Sequence, residues 1–104
     1  MHEVKANLFR VVGHPARVRI LELLRDGERS VGTLQAELGL DSGGTSQHLA
    51  ALRRIGLVES RREGTSVFYR VADEDVFALL RAGRAIIARQ LAEQQSILRD
   101  LETS

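Results

Sequence analysis

Gly43-Gly44-Thr45-Ser46-Gln47-His48-Leu49-Ala50-Ala51-Leu52-Arg53-Arg54-Ile55-Gly56 runs directly into Leu57-Val58-Glu59-Ser60-Arg61-Arg62-Glu63-Gly64-Thr65-Ser66-Val67-Phe68-Tyr69-Arg70-Val71. At Gly56 the apolar period changes. Before it, Leu49 and Leu52 share one face of a helix expected over residues 43–55, with Ser42 as its N-cap. After it, residues 57–63 and 66–71 flank Glu63-Gly64-Thr65, and Val67, Tyr69 and Val71 alternate on one face. That pattern predicts a β-hairpin with glycine at its tip and an arginine-rich first strand.

Upstream, Val4, Leu8, Val11 and Val12 form one apolar stripe on a helix over residues 3–12, which Gly13 ends. Pro15 suits the first turn of a second helix over 15–25, where its missing N–H is no loss. Ile20, Leu21 and Leu24 point inward there, Val18 and Leu23 fill the flanks, and Asp26-Gly27 stops it. Ser30 caps a short third helix over 31–38, with Val31, Leu34 and Leu38 inward and Gly39 closing it. Downstream, Asp73, followed by Glu74 and Asp75, begins a long last helix over about 74–102. Its apolar positions are Val76, Leu79, Leu80, Gly83, Ile86, Ile87, Leu91, Ile97, Leu98 and Leu101. The order α-α-α-α-β-β-α is mainly α with a β-hairpin wing. Two short helices joined by a tight glycine-containing turn, with a hairpin after them, predict a winged helix-turn-helix. Residues 1–104 are read as one domain, because two halves would each be too small to bury a useful core.

Composition narrows the function. With 43% apolar and 28% charged residues, the chain reads as a soluble globular protein. No apolar run nears the roughly 20 residues that span a bilayer, and Met1-His2-Glu3-Val4-Lys5 lacks the pattern of a signal peptide. The expectation is a cytoplasmic, nucleoid-associated protein with no membrane partner. There is no cysteine, which excludes disulfides, thiolate metal sites and thiol redox sensing. Phe9, Phe68, Phe77 and Tyr69 are too few aromatics for a single-strand stacking platform. No enzyme is expected: Ser46 and His48, two apart on a helix, point in different directions, and Asp73, Glu74 and Asp75 are explained as a helix start.

The net charge of +1 conceals a division. Residues 42–72 carry Arg53, Arg54, Arg61, Arg62 and Arg70 against only Glu59 and Glu63, while residues 73–104 are net acidic. A central basic segment is where a phosphate footprint belongs. In the helix over 43–55, the side opposite Leu49 and Leu52 is assigned Gly44, Thr45, Gln47, His48 and Ala51, small or hydrogen-bonding and free of acids. Such a face suits the major groove: Gln47 can bond adenine bidentately, and Thr45 can offer a methyl to thymine or a hydroxyl to an edge. Ser42 and Ser46 complete the set, and the N-terminal N–H groups of the helix could donate to a phosphate. Arg61, Arg62, Thr65 and Ser66 on the hairpin reach an adjacent phosphate or the minor groove. Arg53 and Arg54 either contact the flanking backbone or form ion pairs with Glu59 and Glu63. Taken alone, the helix could also be a solvated polar surface.

The run from Gly13 to Leu24, then Ser46 to Val58, then Arg62-Glu63-Gly64 and Tyr69-Arg70-Val71, resembles the ArsR/SmtB family over about residues 5–80. The resemblance implies a homodimeric transcriptional repressor on a palindromic double-stranded DNA operator, released by an effector. It places DNA reading on the helix over 43–55 and dimerisation on the first and last helices. The interface residues are then Val4, Leu8, Val11, Val76, Leu80, Gly83, Ile87, Leu91 and Leu98. A chain this small cannot cover both terminal stripes with its own core, which points the same way. Many relatives sense metals through cysteines near the helix matching 31–38, or through Asp/His sets on the last helix; here there is no cysteine, and no histidine follows Asp73. The histidines are His2, His14 and His48. His14 is read as capping or packing the start of the second helix. A nickel or zinc ion held by His2 and His14 with Glu3 or Glu22 is the remaining metal candidate, as N/O ligands allow. A small-molecule pocket between the terminal helices, a partner protein and no effector at all stay open beside it. A second reading makes the chain a winged-helix interaction module, an adaptor or antagonist that binds protein and not DNA.

Overall fold

Gly13 breaks the first helix and His14-Pro15 starts the next. In the computed structural model, which describes all of residues 1–104, helix α1 spans His2–Val12 and α2 spans Pro15–Leu23. The His14 ring caps α2, its Nδ1 accepting the Ala16 N–H at 3.1 Å. The expected end of α2 tightens into a 3-10 turn over Leu24–Asp26. α3 (Val31–Leu38) begins where Ser30 Oγ accepts the Thr33 N–H at 3.1 Å, and ends at Gly39, whose φ of +66° is a conformation open to glycine. α4 (Ser42–Arg54) follows after three residues. Its cap is Asp41, not Ser42: Asp41 Oδ1 accepts the Gly44 N–H at 2.7 Å.

The hairpin is β2 (Val58–Glu63) and β3 (Ser66–Val71), paired antiparallel from Val58↔Val71 to Glu63↔Ser66. The two-residue connection Gly64-Thr65 has φ +62° at Gly64, the positive-φ first position that such hairpin turns demand. A third strand, β1 (Arg29–Ser30), pairs with β3 through Arg29↔Tyr69 and Ser30↔Phe68, giving the order β1-β3-β2. Two residues carry no readable alternation, so β1 exists because β3 offers a free edge.

The chain falls into two compact units, Met1–Glu74 and Asp75–Ser104. In the first, Val11, Val12, Ile20, Leu21, Leu24, Leu34, Leu49, Leu52, Leu57 and Val58 are buried together as the apolar core. Each such Leu or Ile contributes about 1.5–3 kcal/mol of transfer free energy. The second unit is essentially α5 (Asp75–Thr103), a single helix of 29 residues. From Ile86 to Leu101 its large apolar side chains are exposed. No helix is long and apolar enough to cross a membrane.

Candidate nucleic-acid interface

Three buried residues set which way α4 faces. Leu49 and Leu52 are fully buried, as their spacing predicts, and Thr45 is buried with them at 0% exposure. Positions 45, 49 and 52 form a single i, i+4, i+7 stripe. The Thr45 hydroxyl is satisfied inside the helix, donating to the Asp41 carbonyl at 2.9 Å, so its burial leaves no unpaired polar atom. Thr45 therefore cannot reach DNA, and neither can Ala51, which is 8% exposed. The exposed face is instead Ser42, Gly43, Ser46, Gln47, Ala50, Arg53 and Arg54. Gly43 and Ala50, absent from the predicted set, belong to it as the small residues that permit close approach.

Gly44 and His48 also differ from expectation. Gly44 is half-buried and its N–H is taken by Asp41; a Cβ there would lie 2.9 Å from Asp41 Oδ1. With that carboxylate on the helix start, an incoming phosphate meets negative charge, so the N-terminus of α4 is not the anion site expected from the sequence. His48 is half-buried and turned toward α2: its Nδ1 accepts from Arg17 Nε at 3.2 Å, and its ring lies 4.3 Å from the His14 ring. Burial first, and then His14 and Arg17, lower the His48 pKa from its ordinary 6.5.

Ion pairing sorts the five central arginines. Arg61 donates from Nε to Glu28 Oε2 at 2.8 Å and from Nη1 to Glu63 Oε2 at 2.8 Å, with its guanidinium 4.6 Å from the centre of the Phe68 ring. The hydrogen bond from Arg61 lowers the Glu28 pKa, and bonding to Glu28 and then Glu63 raises that of Arg61. Arg70 pairs with Glu59 at 2.5 Å. Both central acids are thus paired, Glu63 with Arg61 and Glu59 with Arg70. Arg53, Arg54 and Arg62 form no ion pair, so the surplus positive charge of residues 42–72 rests on these three. Of the two roles open to Arg53 and Arg54, pairing with Glu59 and Glu63 does not occur. Thr65 is exposed at the wing tip.

The terminal helices divide the predicted interface set. Val4 is 68% exposed and Leu8 half-buried, but Val11 is 5% exposed in the single chain and has little surface left for a partner. Phe9, 56% exposed, was not predicted. On α5, Ile87, Leu91 and Leu98 are exposed, Leu80 and Gly83 half-buried, and Val76 already buried at 4%. The metal candidates do not converge. His2 and Glu3 stand exposed at the start of α1, His14 uses Nδ1 as a helix cap, and no three His, Cys, Asp or Glu residues are grouped to hold an ion.

A helix-turn-helix followed by a wing, with an acid-free exposed helix face and unpaired arginines beside it, defines the class of DNA-binding regulators. Comparison with known proteins agrees. Residues 14–60 match the model of the bacterial regulatory protein, arsR family. An HTH-type transcriptional regulator of Mycobacterium tuberculosis, Rv0081, is 43% identical over 102 residues, covering 97% of this chain and 90% of the relative. Its crystal structure superposes with a TM-score of 0.82 at 44% identity, over 89% of this chain and 94% of that one. The biofilm growth-associated repressor of Agrobacterium fabrum is 41% identical over 81 residues, 78% of this chain and 69% of the relative. The solution structure of a homodimeric winged helix-turn-helix DNA-binding domain from Mycobacterium bovis matches with a TM-score of 0.75 and 36% identity, over 86% and 82% of the two chains. The chain belongs to the ArsR family of bacterial regulatory proteins: it is a transcriptional regulator, not an enzyme.

Proposed function

We propose that this protein is a cytoplasmic, nucleoid-associated repressor that binds a palindromic operator as a homodimer. The observation that carries the reading is the coincidence of the acid-free face Ser42-Gly43-Ser46-Gln47-Ala50 with the three unpaired arginines Arg53, Arg54 and Arg62. Ser46 and Gln47 read base edges from the major groove, while the three arginines and Thr65 contact phosphates. The dimer is supported by the exposed Val4 and Phe9 on α1 and the exposed Ile87, Leu91 and Leu98 on α5, large apolar side chains of the kind that mark an interaction surface. In this reading both compact units act as one domain, since a lone helix has no core of its own. A two-fold dimer sets its reading helices about 34 Å apart, one turn of DNA. Release by an effector belongs to the same reading and rests on family membership alone.

Selection of random duplexes by the purified protein, with and without a chelator, tests this. The expected result is a dyad-symmetric motif with half-sites one turn apart. Enrichment that changes with the chelator would make a metal the effector. No enriched motif at low salt would refute the reading and leave a winged-helix module that binds protein.

A further inference from the structure

Behind α4 lies a polar cluster that DNA reading does not use. Arg17, half-buried in the first turn of α2, donates from Nη1 to the Val11 carbonyl in the last turn of α1 at 3.2 Å, and from Nε to His48 Nδ1 at 3.2 Å. One guanidinium thus spans α1, α2 and α4. Resting on the reading that α4 enters the major groove, we propose that Arg17 is a positioning residue. It fixes α4 against the end of α1 by donating to the unprotonated ring of His48, so that DNA affinity depends on His48 staying neutral.

The chemistry demands arginine and a neutral imidazole together. The planar guanidinium fork satisfies two acceptors with a single side chain, which a lysine ammonium does not reproduce. Because Nδ1 accepts, the His48 proton resides on Nε2. A second proton would remove the acceptor lone pair and set two cations at hydrogen-bond distance. The groups acting on His48 are His14, from the turn between α1 and α2, and Arg17, from α2; α1, α3 and β2 bring no carboxylate to offset the charge. The lowered pKa of His48 agrees with a bond made at neutral pH. It is fully present above 6.5 and is lost as pH falls through the lowered folded value. A binding helix displaced by a fraction of an ångström loses its matched contacts, so loss of this strut reaches the DNA face.

The test measures binding of the selected duplex by fluorescence anisotropy from pH 8 to 5.5 at fixed salt, for wild type, Arg17→Ala and His48→Gln. Thermal unfolding at pH 8 verifies that each variant is folded. Wild-type affinity is expected to fall on acidification by about tenfold, the scale of one hydrogen bond to a charged group. His48→Gln, which keeps an acceptor but gains no proton, should give a flat profile. Arg17→Ala should be weaker than wild type at pH 8, flat with pH, and unchanged in salt slope, because Arg17 spends its Nε and Nη1 on His48 and Val11 inside the fold. Wild-type affinity that is constant or rises in acid overturns the inference, the rise marking His48 as a direct phosphate contact. So does a fall retained by His48→Gln, or a reduced salt slope in Arg17→Ala. If wild type binds no duplex at any pH, the DNA reading itself fails; if it binds and the variants match it throughout, only the role of Arg17 fails.

Discussion

Gln47 and Arg62 are both exposed, yet they occupy surfaces of different chemistry. Gln47 offers a donor and an acceptor in fixed relation from the middle of α4, the geometry that distinguishes one base edge from another. Arg62 stands unpaired on β2 and offers charge. Gln47→Ala should therefore reduce discrimination between matched and mismatched duplexes by on the order of 1–3 kcal/mol, measured by competition titration. Arg62→Ala should weaken binding to all sequences and lower the salt slope by about one unit, with sequence preference intact. Equal loss of preference in both variants would show the roles wrongly divided. Thr45 provides the converse case. Its hydroxyl is bonded and its methyl buried, so Thr45→Ala should destabilise the fold by about 1–2 kcal/mol in chemical denaturation. Below its unfolding transition the variant should keep the wild-type sequence preference; altered preference would return Thr45 to the groove.

The wing is the element whose geometry depends most on charge. Arg61 ties β2 to Glu28, ahead of β1, and to its own strand neighbour Glu63 while covering Phe68. These groups are partly solvated, so the clamp is screened and serves placement of the hairpin more than stability. The hydrogen bond from Arg61 lowers the Glu28 pKa, so the clamp is complete above the ordinary 4.5 and is lost as pH falls through the lower folded value. A carbon-detected titration of the Glu28 carboxyl should give a midpoint below 4.5, and one at or above that value would mean the clamp does not form in solution. This clamp was invisible in the sequence, because Glu28 and Arg61 lie 33 residues apart and only the strand pairing brings them together. What was legible was local: the Ser30 and Gly39 ends of α3, the Gly64 tip, and the change of period at Gly56 all depend on neighbouring residues. The reading of α4 erred where a side chain's polarity disagreed with its environment. Thr45 looks like a surface residue until its hydroxyl is given the Asp41 carbonyl, and then positions 45, 49 and 52 close into one buried stripe. Asp41 and Ser42 are both good caps, and only the Gly44 N–H at 2.7 Å selects between them.

For the whole molecule the governing quantity is apolar surface that one copy leaves uncovered. Ile87 is 57% exposed near the start of a run that continues to Leu91 and Leu98, spaced four and then seven residues apart on one face of α5. If a second copy covers this face, Ile87→Glu places a carboxylate among apolar side chains, a penalty that exceeds the lost apolar contact. The variant should then elute and scatter light as a monomer at concentrations where wild type is a dimer. Because two reading helices on one rigid dimer act at high effective concentration, monomers should also bind the full operator about 10²–10⁴-fold more weakly. Binding to a single half-site should be almost untouched, since Gln47 and Arg62 remain in place. Ala85→Glu adds the same charge two residues away, on the opposite side of the helix. It should leave both mass and affinity near wild type, which separates a blocked interface from a merely altered charge. Monomers from both variants would indict charge, an unchanged mass in Ile87→Glu would move the interface off this stripe, and only dissociation confined to Ile87→Glu joins the apolar face of α5 to the spacing of the operator.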